Sequence, residues 1–91
     1  MKVKKFEIQA CCGKKAVIFK TDQPVTKDTL ASFLTLGFQE APNFTKAGIL
    51  YVTNDYFVIS GPIGSDKLQI KCRVVECEEK LKSLEETLSN L

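Results

Sequence analysis

Apolar and polar residues alternate from the start of the chain. In "VKKFEIQA", residues 3–10, Phe6, Ile8 and Ala10 share one side, and Lys5, Glu7 and Gln9 the other. A period of two marks a strand with one face covered. Cys12 continues the apolar set and Cys11 the polar one, and Gly13 reads as the turn that follows. The next strand, "KAVIFK" at 15–20, holds an unbroken apolar run. Such a run predicts a central strand or one covered on both faces.

The period then changes. Thr26 is a good helix N-cap, Asp28 suits the first turn, and Val25 and Leu30 occupy the positions of a hydrophobic staple. Leu30, Phe33 and Leu34 make one apolar face, and Gly37 followed by Phe38 reads as a Schellman end. A helix is predicted over 27–36. Residues 37–47 read as an irregular connection with Phe44 tucked beneath it.

Three strands are predicted next, at 48–52, 56–60 and 67–73, joined by "TND" and "GPIGSD". In the last, Leu68, Ile70 and Cys72 alternate with Lys67, Gln69, Lys71 and Arg73. A helix follows over roughly 75–90, where Cys77, Leu81, Leu84, Leu88 and Leu91 form a narrow stripe. Glu76, Glu78 and Glu79 crowd its first turn.

The order β-β-α-β-β-β-α predicts one compact α+β domain over 1–91, a mainly antiparallel five-stranded sheet with two helices packed on one face. The 48–60 hairpin carries apolar bulk on both sides, with Ile49, Tyr51, Phe57 and Ile59 read as opposite to Leu50, Val52, Tyr56 and Val58. Two helices cover only one face. The other is expected to present an interaction surface around Tyr51, Phe57 and Ile59, unless 37–47 wraps over it.

Composition adds charge and exclusions. The net charge is +2, unevenly spread: residues 1–20 hold six Lys against one Glu, and residues 21–66 hold two Lys against five acids. The absence of histidine removes every His triad and His metal ligand. No apolar run is long enough to span a bilayer, and the lysines near the start precede no apolar signal segment. The expectation is a cytoplasmic domain with free cysteines and no membrane partner. "NFT" at 43–45 matches a glycosylation sequon by chance on this reading.

Candidate chemistry centres on sulfur. Cys11, Cys12, Cys72 and Cys77 could form a metal or thiol site if the strand ends meet, and zinc is the ion such a set would hold. Their spacing, CC and Cx4C, misses the usual CxxC knuckle. Cys11, beside Lys14 and Lys15, is the candidate for a reactive thiol, but no histidine can serve as its base. The plainer reading makes these cysteines small buried hydrophobes. "SGPIGSDK" at 60–67 resembles a phosphate loop only loosely, precedes a strand, and is explained as a hairpin turn. The glutamates and aspartates read as helix surface, caps and turns, which gives no acid–base pair and no argument for an enzyme.

The chain therefore reads as a small binding domain. Its first expected partner is another protein or a second copy of itself, through the exposed sheet face. A cysteine-based site is the second reading. Single-stranded nucleic acid on a basic sheet face formed by Lys5, Lys67, Lys71 and Arg73 is the third.

Overall fold

The computed structural model describes residues 2–8, 16–74 and 76–90. The elements run β1 (Val3–Ile8), β2 (Ala16–Thr21), α1 (Lys27–Thr35), β3 (Gln39–Glu40), α2 (Pro42–Lys46), β4 (Ile49–Thr53), β5 (Phe57–Pro62), β6 (Lys67–Cys72) and α3 (Glu78–Ser89).

The local signals of α1 are realised. The Thr29 backbone N–H donates to Thr26 Oγ1 at 3.4 Å, and the Thr26 N–H donates to Thr29 Oγ1 at 3.1 Å. This reciprocal box satisfies two donors that a helix start leaves open. At the other end Gly37 takes φ 96°, the Phe38 N–H donates to Phe33 O, and the Gly37 N–H to Leu34 O. Only glycine adopts that φ without strain. The reversal brings Phe38 back on Phe33, ring centroids 5.4 Å apart. Phe33 is fully buried, which contributes roughly 1.5–3 kcal/mol relative to exposure.

All strand pairs are antiparallel, in the order β1-β2-β6-β5-β4-β3. The β1–β2 hairpin and the β4–β5–β6 meander meet where β2 pairs with β6. The core lies on one face of this sheet: Val17 and Phe19 from β2, Leu68 and Ile70 from β6, Phe57 and Ile59 from β5, Leu50 and Val52 from β4. Leu30 and Phe33 of α1 and Leu81, Leu84 and Leu88 of α3 close it. The radius of gyration, 12.1 Å, is near the ~12 Å expected of one folded domain this long.

Two expectations are corrected among the described residues. The sheet has six strands, because Gln39 and Glu40 pair with Thr53 and Val52. There are three helices, because Pro42 starts a short turn of helix inside the expected irregular stretch. A two-residue strand and a five-residue helix are too short to leave a periodic signal. β1 and β6 run parallel but are not neighbours, since β2 lies between them. No helix among the described residues is long and apolar enough to cross a membrane.

Candidate functional site on the open sheet face

Strand alternation and register define the face that α1 and α3 leave open. Three cross-strand rows build it. The first runs Lys4–Lys20–Lys67. The second runs Phe6–Ile18–Gln69–Ser60–Tyr51. The third runs Ala16–Lys71–Val58–Thr53. None of these positions is acidic. Lys4, Lys20, Lys67 and Lys71 are exposed, and Ile18, Gln69, Ser60, Tyr51 and Val58 are half-buried.

Phe6 stands on this face, 50% exposed, although the alternation of β1 predicted it inward. Register explains the difference. Phe6 lies opposite Ile18, and the core residue Phe19 lies opposite Lys5. Because β2 is apolar on both sides, the pattern of β1 alone could not tell which side the helices cover.

The expected centre of the surface divides between the two faces. Tyr51 is on the open face, but Phe57 and Ile59 are 4% and 0% exposed in the core. The turn of the 48–60 hairpin sets this. Asn54 Oδ1 accepts from the Tyr56 and Phe57 backbone N–H groups at 2.9 and 2.8 Å, and Thr53 pairs with Val58. That register puts Leu50 and Val52, not Tyr51, on the side of Phe57 and Ile59. The connection 37–47 does reach the open face, through α2. Phe44 stacks on Tyr51 with centroids 4.5 Å apart and planes 14° apart. It remains 44% exposed rather than tucked under.

The basic quartet read from the sequence is only half gathered. Lys67 and Lys71 share the open face. Lys5 falls in the opposite register set, and Arg73 is engaged at a turn, its Nη1 donating to Asn54 O at 2.7 Å. Lys4 and Lys20 take their place. The signal that could have found them is the pairing of the first two strands, which aligns Lys4 with Lys20.

The cysteines do not assemble as one site among the described residues. Cys72 and Cys77 form a disulfide with Cα atoms 6.3 Å apart, so the expectation of free thiols fails for this pair. Bonded to each other, their sulfurs are not thiolates and cannot ligate zinc. Their alternation and helical stripe did put both in the core, and both are buried. Cys11 and Cys12 lie outside the described residues. Among the described residues no three His, Cys, Asp or Glu side chains are grouped to hold a metal. In the 60–67 stretch, residues 60–62 end β5, Lys67 opens β6 and 63–66 make the hairpin turn, where the Gly64 N–H donates to Val25 O at 2.7 Å.

The chain matches no protein-family model, no curated protein and no solved structure.

Proposed function

We propose that this protein is a binding domain whose working surface is the open face of its sheet. One observation carries the reading. Two helices cover the core side of the sheet, while the other side keeps Phe6, Ile18, Tyr51 and Val58 partly exposed among four lysines, with Asp22 the acid at its edge. A solvated face with no partner would ordinarily mix both charges. Partly exposed apolar side chains gathered on one face with charge of mainly one sign mark a place where another molecule docks.

The test compares two double variants. Phe6→Ser with Ser60→Glu blocks the open face without touching the core. Lys82→Glu with Glu86→Lys alters the exposed side of α3 as a control. Both should keep the far-ultraviolet circular dichroism of the parent. Molecules retained from a cell extract by the parent and the α3 variant, but lost by the open-face variant, support the reading. Loss by the α3 variant alone, or the same retention by all three, contradicts it.

A further inference from the structure

The chemistry of the open face narrows its partner. Lys4, Lys20 and Lys67 are successive cross-strand neighbours, so their side chains leave the sheet from adjacent positions spanning about 10 Å. Like charges directly opposite destabilise a sheet. Edge protection accounts for lysine on the outer strand β1, but β2 and β6 are interior strands. Asp22, just past β2 and lining the groove beside this row, accepts from the Lys2 backbone N–H at 2.9 Å, and Asp66 directly precedes Lys67 in the sequence. A groove of about 360 Å³ opens beside the row, lined by Lys2, Lys4, Phe6, Lys20 and Asp22 among others.

The layout departs from that of a typical protein interface. Such interfaces put aromatic and aliphatic anchors at the centre and charge at the rim. Here the central strands offer Gln69, Ser60 and three lysines beside the half-buried Ile18 and Val58, and the aromatics stand at the flanks, Phe6 on β1 and Phe44 over Tyr51 on β4. The flanks are four strand spacings apart, about 19 Å. Cations along a polar strip with separated aromatic platforms suit a chain of phosphates carrying unpaired bases.

We infer that the open face binds single-stranded nucleic acid, with Lys4, Lys20, Lys67 and Lys71 on phosphates and Phe6 and Phe44 as stacking platforms. This rests on the open face being the working surface. Phosphate contact by four lysines releases counterions, so affinity falls with salt with a log–log slope near −3 for a single strand. The relief of repulsion in the lysine row adds to binding.

Fluorescence anisotropy with a labelled deoxythymidine dodecamer, and a uridine dodecamer beside it, provides the test. The expected result is binding that weakens steeply between about 50 and 200 mM salt. Lys4→Gln, Lys20→Gln and Lys67→Gln together should cut the slope by about 2. Phe6→Ala or Phe44→Ala should weaken binding about tenfold and leave the slope unchanged. No binding to either dodecamer at low salt overturns the inference, as does binding that the triple variant leaves intact. Concentration-dependent self-association at low salt, lost in the triple variant, would make the partner a second copy and also overturn it. If the dodecamers fail while the Phe6→Ser/Ser60→Glu variant still loses its captured molecules, only the nucleic-acid inference falls. If they bind and the loss follows Lys82→Glu, both fall.

Discussion

Gly61 shows what a single position does in this sheet. It lies in β5 on the covered side, opposite Leu50, and a Cβ built there would sit 2.5 Å from the Lys67 carbonyl oxygen and 3.2 Å from Leu68 Cδ2. The backbone cannot yield that space. Gly61→Ala should therefore cost about 1–3 kcal/mol, as overpacking does, read as a lower urea midpoint at unchanged slope. An unchanged midpoint would mean that β5 and β6 are not this close. In the sequence Gly61 passes for a turn residue, because it stands beside Pro62 in a glycine-rich stretch. Close backbone approach leaves no mark that distinguishes it from a turn. The same limit separated Lys5 from Lys4: one residue of register decides which lysine shares the open face, and alternation in β1 carries no sign of which side is covered. Tyr51, Phe57 and Ile59 were split for a related reason, the parity imposed by the Asn54 turn.

Elements were more legible than residues where their signals are local. Thr26, Val25, Leu30 and Gly37 fixed both ends of α1, since caps and the Schellman reversal depend on a few adjacent positions. The Leu81, Leu84 and Leu88 stripe of α3 was legible for the same reason, and all three are buried. The Cys72–Cys77 bond was not. It joins the end of β6 to the N-cap of α3, five residues on. The spacing alone could not show whether the intervening turn brings the sulfurs together. This bond ties α3 to the sheet it covers. Opening a loop this short removes roughly 2 kcal/mol of stabilisation in the chain-entropy account. A reductant should lower the melting temperature of the parent by about 10 °C and leave that of a Cys72→Ser/Cys77→Ser variant unmoved. Equal melting in both redox conditions, with two extra thiols titrating in the oxidised protein, would show that the bond does not form.

At the scale of the whole molecule the chain sorts its charge by face. Lys4, Lys20, Lys67 and Lys71 gather on the open side of the sheet, whereas α3, which packs against the other, carries four glutamates against Lys80 and Lys82. A net charge of +2 conceals this separation. It was half visible in the sequence as an excess of lysine in residues 1–20, and invisible in its arrangement, because strand order is a long-range property. This lysine-rich face, and not the helical one, is expected to meet the partner. Lysine acetylation followed by mass spectrometry, with and without a saturating deoxythymidine dodecamer, tests that most directly. Lys4, Lys20, Lys67 and Lys71 should be protected together, with Lys80 and Lys82 on α3 unchanged. Protection of Lys80 and Lys82, or no protection at any of the six, would contradict it.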